Sequence, residues 1–189
     1  MKITILLGSV RQGRHTHKVA FYLEQLLKIK GAEVNLIDLA KDVLPPHGFE
    51  ISAQQTDIID KMSHQLSEAD GLIFVTPEYH GTFSGVLKNA LEYFWSEFTK
   101  KPIGVVSVSS GQLGGINAST QLQHVILSLG AFPMPVKLLV SEVQTFFNDS
   151  NQPNNERVSK AADRFLNEFL WFTDAIYQKR IGHQLKESA

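Results

Sequence analysis

Short apolar runs recur along this chain, and stretches with a helical spacing of apolar residues separate them. Leu72 to Val75 is an unbroken apolar run, the pattern of a strand covered on both faces of a parallel sheet, and Ile3 to Leu7 is a second short apolar run. Pro102 opens a similar run through Ile103, Val105, Val106 and Val108. Glu33–Leu39 is less uniformly apolar and so belongs nearer an edge, and Val136 to Val140 reads as a fifth strand. Between these runs the period becomes 3.6. Val19, Tyr22, Leu23, Leu26 and Leu27 share one helix face that closes at Gly31. Ile58, Ile59, Met62 and Leu66 form a second face, and Leu122, Val125, Ile126 and Leu129 another, ending at Gly130. From Ser84 onward Leu87, Ala90, Leu91, Phe94, Trp95 and Phe98 fall on a single stripe. A last helix over about Glu156–Arg180 turns Val158, Phe165, Leu166, Phe169 and Phe172 inward. Leu44 to Phe49, with Pro45-Pro46 and Gly48, is a loop, as is the polar, Asn-rich Gln144–Glu156. Thr76-Pro77 is expected to stop the third strand, because proline gives no N–H to the ladder.

Five strands alternating with five helices, with no internal repeat, make an α/β doubly wound domain over residues 1–189. Composition agrees. At 189 residues a single domain buries about 70% of its unfolded surface. A formal net charge of −1 gives neither a nucleic-acid surface nor a basic membrane-binding helix. The absence of cysteine excludes disulfides, thiolate metal sites and Cys nucleophiles. No apolar run nears the roughly 20 residues of a membrane span. Met1-Lys2-Ile3-Thr4 enters a strand directly, so a cytoplasmic location is expected. The seven histidines lack His-x-x-x-His spacing and accompanying carboxylates, so no metal site is expected. No Gly-x-Ser-x-Gly elbow supplies a hydrolase nucleophile.

Chemistry concentrates in three strand-to-helix loops, at the sheet edge where open parallel sheets place ligands. In Gly8–Thr16, Ser9 and Thr16 offer hydroxyls, Arg11 offers a planar fork, and a helix N-terminus follows, a combination suited to an anion. The plainer reading is a solvated basic turn with Thr16 as N-cap. His15 and His17 are further loop contacts or simple surface histidines. The second loop is Pro77-Glu78-Tyr79-His80-Gly81, in which Glu78 is either a general acid or a local cap, the latter favoured. The third, Ser109–Gly115, carries Ser109, Ser110, Gly111 and Gly114, and either lets backbone approach a planar ligand or merely starts a helix.

Pro77-Glu78-Tyr79-His80-Gly81 followed by Gly85-Val86-Leu87-Lys88-Asn89-Ala90-Leu91-Glu92-Tyr93 resembles the NADPH-dependent FMN reductase family. In that family Asn is usual where His80 stands, and proline where Ser84 stands. The resemblance implies a flavodoxin-like sheet of order 2-1-3-4-5, with FMN at the switch point between the first and third strands. It implies an FMN phosphate on Ser9, Arg11, Thr16 and His17, and a flavin ring on Pro77, Glu78, Tyr79, His80 and Gly81. Ser109, Ser110, Gly111 and Gly114 make the third wall. Arg11 and Arg14 are candidates for the NADPH 2′-phosphate. Hydride would pass from NADPH or NADH through FMN to a quinone, azo dye, free flavin or similar acceptor in turn, with no protein group transferring a proton. The family also implies a homodimer or homotetramer, for which Phe94, Trp95 and Phe98 are the expected contact unless they are core. Two rivals share the topology. An electron-carrier flavodoxin is typically strongly acidic, and a receiver domain needs carboxylates where Gly8-Ser9-Val10-Arg11 stands.

Overall fold

The computed structural model describes residues 1–148, 153, 154 and 156–187, with 181–187 as helix backbone only. In chain order the elements are β1 (Lys2–Leu7), α1 (Thr16–Ile29), β2 (Glu33–Asp38), α2 (Ala53–Ser67) and β3 (Gly71–Tyr79). There follow β4 (Thr82–Phe83), α3 (Gly85–Tyr93), β5 (Pro102–Val108) and α4 (Ile116–Ser128), then β6 (Phe132–Pro133), β7 (Leu138–Val140) and α5 (Glu156–Glu187). Strands run β2-β1-β3-β5, with β6 and β7 both on the far side of β5. All these pairings are parallel, and only the two-residue β4 runs antiparallel, against the end of β3. With β4 set aside and β6 and β7 taken as one interrupted strand, this is the flavodoxin-like order 2-1-3-4-5.

Side chains alternate across each buried strand, so the sheet has two cores. Ile3, Ile5 and Leu7 face α1 and α5, packing with Val19, Leu23, Leu27, Phe165 and Phe169. Leu6, Leu72 and Phe74 face α2, α3 and α4, packing with Met62, Leu66, Leu87, Leu91 and Ile126. Each such side chain contributes about 1.5–3 kcal/mol by leaving water, and polar residues buried in the central strands are hydrogen-bonded: Thr4 donates to the Gln65 carbonyl and Ser107 to the Gly114 carbonyl.

Several sequence expectations need correction. β3 continues through Thr76-Pro77 to Tyr79, because beyond Val75 it still pairs with β5 (Thr76 with Ser107, Pro77 with Val108) and then gains β4. The fifth strand is shorter than Val136–Val140 and is preceded by a separate two-residue piece. α5 runs past Arg180. Gln144–Glu156 is a loop only in part, since Val143–Thr145 forms a 3-10 turn, and residues 149–152 and 155 lie outside the described set. The single stripe over Leu87–Phe98 breaks because α3 ends at Tyr93 and Phe94 is extended (φ −125°, ψ 137°). Phe94 and Phe98 then turn into the core, Phe98 edge-on to Phe74 at 5.8 Å, and Trp95 is thrown out to 70% exposure.

At the sheet end away from the three loops, Lys101 is buried at 3% exposure. Its ammonium donates to the Leu66 and Ser67 carbonyls (2.5 and 2.6 Å), closing the C-terminal end of α2. Burial, helped by the Arg180 charge, lowers its pKa to about 8.

Candidate active site

The first loop is built tightly. Gly8 ends β1 by donating to the Val75 carbonyl at 2.8 Å. A side chain there would stand 2.7 Å from Leu87 Cβ, so its lack of one lets α3 pack against the strand end. Ser84, at the family's usual proline position, caps α3 by accepting from Leu87 N–H and donates its hydroxyl to the Gly8 carbonyl at 2.6 Å. Ser9 is fully buried, and among the described residues its hydroxyl has no hydrogen-bond partner. Thr16 is the first helical residue and not the cap; His15 occupies the cap position, and no side chain caps the first turn of α1. An N-terminus left this way keeps free N–H groups and a positive dipole end for an anion.

Arg14 departs from its expected role. Its guanidinium makes a fork with both Asp38 oxygens (2.7 and 2.6 Å) and also donates to the Ser9 carbonyl. Burial of Asp38 favours its neutral acid, but the Arg14 and Ala40 hydrogen bonds and the Arg14 charge outweigh it and hold the carboxyl below its ordinary range. Arg14 is therefore not a free cation for a coenzyme phosphate. Arg11 is exposed and has no ion pair among the described residues. His17 is half-buried and edge-on to Phe21, and burial together with the Arg14 charge lowers its pKa.

In the second loop, His80 and Gly81 both have positive φ (51° and 76°) and join Tyr79 to Thr82 of β4. Two consecutive left-handed residues make the type I′ hairpin turn, in which Asn-Gly is the favoured pair and His is tolerated. Glu78 sends its carboxylate sideways to accept from Ala118 N–H at 3.0 Å, so it caps α4. Gln121 of α4 donates back to the Gly81 carbonyl at 2.8 Å.

The third loop is internally satisfied. Ser107 donates to the Gly114 carbonyl (2.7 Å), Gly111 N–H donates to Ser109 Oγ (3.0 Å), and Glu142 N–H donates to the Gly111 carbonyl (3.1 Å). Gly115 begins α4 with φ of 80°, and a Cβ on it would lie 2.9 Å from that of Ser107.

These loops enclose a cleft of about 150 Å³. Arg11, Gly13, Arg14, His15 and Thr16 line it from the first loop, with Pro77, Glu78 and Tyr79 from the second and Val108, Ser109 and Ser110 from β5 and the third loop. Val143, from the turn after β7, completes it. Ser9 lies buried behind the first loop, while His17, His80, Gly81, Gly111 and Gly114 do not line the cleft. His15, one of the two histidines weighed as loop contacts, lines the cleft; sequence reading missed Gly13, Val108, Val143 and the supporting Asp38, of which only Asp38, an acid ending a strand, carried a local signal.

The family model for NADPH-dependent FMN reductase matches residues 1–145 of this chain. The chain belongs to that family. It is an NAD(P)H-dependent oxidoreductase with FMN as its cofactor. An FMN-dependent NADPH-azoreductase of Staphylococcus aureus is 31% identical over 184 residues, covering 92% of this chain and 96% of that protein. An NADPH azoreductase of Bacillus sp. (strain OY1-2) is 33% identical over 141 residues, 74% of this chain and 76% of that one. Among solved structures, the flavoenzyme NAD(P)H:(acceptor) oxidoreductase FerB from Paracoccus denitrificans superposes with a TM-score of 0.79 at 21% identity, covering 92% and 97% of the two chains. That likeness supports the fold. The first loop suits the cofactor family members use: among the described residues it carries a buried hydroxyl without a partner and leads into an uncapped helix end, with Arg11 and Thr16 on the cleft wall.

Proposed function

We propose that residues 1–189 act as one FMN-binding domain that takes reducing equivalents from NADPH or NADH and delivers them to a quinone, azo compound, flavin or similar small acceptor. Bound FMN supplies the hydride acceptor and donor. The residues supply position. Ser9 Oγ, Arg11, the Thr16 hydroxyl and the first N–H groups of α1 hold the phosphate, with His17 behind them. The Pro77–Tyr79 backbone meets the polar ring edge, and Tyr79, 38% exposed on the cleft wall, covers a ring face. Ser109 and Ser110 form the opposite wall. His80, Gly81, Gly111 and Gly114 set loop shape instead of touching the ligand. Glu78 has no proton-transfer role, because its carboxylate is committed to α4.

The observation that carries this reading is the Ser9 hydroxyl, fully buried and unpartnered among the described residues, in the loop that leads to the uncapped start of α1. A buried hydroxyl without a partner costs about 1–3 kcal/mol, and a phosphate oxygen would repay it. The azo acceptor is supported by the relatives, which are azoreductases. We further propose a homodimer or homotetramer through α3 and α4, where Trp95, Ile116 and Leu127 stand exposed. A cytoplasmic location fits a chain without cysteine and, among the described residues, without a helix able to cross a membrane.

The test is direct. The purified protein should carry a flavin that heat releases and mass identifies as FMN, and anaerobic NADPH or NADH should bleach it, with a quinone restoring the colour. FAD as the sole flavin, no chromophore after FMN is added, or a flavin left oxidised by both nucleotides would overturn the reading. Light scattering that gives a monomer at micromolar concentration would remove the oligomer.

A further inference from the structure

The Arg14–Asp38 pair ties the loop that follows β1 to the end of the neighbouring strand β2. Leu7 and Asp38 are register partners in β1 and β2, and the chain leaves both strands at this point. Asp38 is rigidly held: its carboxylate accepts from Ala40 N–H, and its carbonyl accepts from Lys41 and Asp42 N–H. Arg14 takes that fixed carboxylate with a two-bond fork, and a further N–H reaches the Ser9 carbonyl. Arg14 N–H also closes a turn onto the Arg11 carbonyl at 3.2 Å. The guanidinium thus ties both ends of the Ser9–Thr16 loop to an anchor outside it. Its side chain is 15% exposed and that of Asp38 3%, so little water competes for these bonds.

Resting on the flavin reading above, we propose that Arg14 is a positioning residue for the cofactor: clamped on Asp38, it fixes the Ser9 carbonyl and so the loop that receives the FMN phosphate. Arg14 acts through the backbone and not as a phosphate-binding cation, since Asp38 already neutralises it. Lysine cannot replace it, because an ammonium is a single point of charge and makes no planar fork. The Asp38 carboxylate helps FMN binding although it brings negative charge toward an anion, and this sign separates the clamp from ordinary electrostatics.

The experiment titrates apo-protein with FMN and with riboflavin, which shares the ring and lacks the phosphate, following flavin fluorescence. Parent, Asp38→Asn and Arg14→Lys are compared, with the melting temperature of each apo form. The clamp predicts that both variants lose about tenfold or more in FMN affinity, while riboflavin affinity stays within about twofold of the parent. Tighter FMN binding by Asp38→Asn would show Arg14 to be a plain phosphate cation that Asp38 restrains, and would overturn the proposal. So would parental FMN affinity in Arg14→Lys, or equal losses for both ligands, which mark general loosening of the fold. A parent that binds riboflavin and FMN equally well removes the phosphate role of the loop. A parent that binds neither overturns the flavin reading itself.

Discussion

The loops that start α1 and α4 look alike in sequence, each a short run of glycine and serine after an apolar strand, and they are built for opposite purposes. The α4 loop is closed on itself. Its helix N-terminus is capped by Glu78 from another loop, its Gly114 carbonyl takes the Ser107 hydroxyl, and Gly115 is pressed against β5. The α1 loop leaves its helix without a side-chain cap and buries a serine hydroxyl with nothing to bond. The proposed phosphate site rests on what the α1 loop leaves unsatisfied, more than on its glycine content.

That contrast can be broken first at Gly115. Gly115→Ala combines a left-handed φ with a contact of 2.9 Å to Ser107, and should destabilise the apo-protein by about 2–4 kcal/mol in urea unfolding. Its FMN affinity, measured on the folded fraction, should hold. A loss below about 1 kcal/mol would mean that the α4 loop is not the rigid wall described. Arg11→Ala should do the reverse, costing about 1.5–3 kcal/mol of FMN affinity with the apo melting temperature unmoved. Equal FMN affinity in variant and parent would place Arg11 outside the phosphate site. Glu78→Ala removes the cap of α4 and should cost about 0.5–2 kcal/mol of stability. Glu78→Gln, which keeps an acceptor oxygen, should recover most of it, and an activity loss in Glu78→Gln larger than its stability loss would restore Glu78 as a proton donor. The smallest effect is a pH dependence of the apo-protein. The Asp38 carboxyl has its folded pKa below the unfolded value near 3.9, so its contribution is complete above about pH 4 and is lost as pH falls through the lowered folded pKa. Asp38→Asn should flatten that acid limb, and an unchanged acid limb would show the pair to be energetically silent.

Much of this architecture was legible because burial on both faces leaves a strong trace: Leu72–Val75 is wholly apolar, and Ile3–Leu7 is apolar but for Thr4. The loop containing Pro77–Gly81 was legible as a motif, and the departure at His80 has a local explanation in its positive φ. The aromatic run was misread because α3 ends at Tyr93 without a glycine or proline to announce it, and packing against Phe74 decides where Phe94 and Phe98 go. β4 is two residues long and has no period to detect. Arg14 and Asp38 are 24 residues apart, and only the parallel pairing of β1 with β2 brings them together. Glycines at 111 and 114 tell from sequence only that a backbone can approach something closely; Gly114 packs against Leu139 of β7, and the Gly111 carbonyl accepts from Glu142 N–H.

Lys101 makes the far end of the sheet chemically addressable. An amine with a pKa of about 8 is largely unprotonated in mildly alkaline solution and hence a ready nucleophile, yet no reagent reaches it while α2 stays docked. Its acylation should be slow and governed by how often that end of the molecule opens, whereas the exposed Lys100 beside it reacts at once. The ratio of the two labelling rates, read by peptide mass, is a clock for local opening at the end of the sheet remote from the three loops.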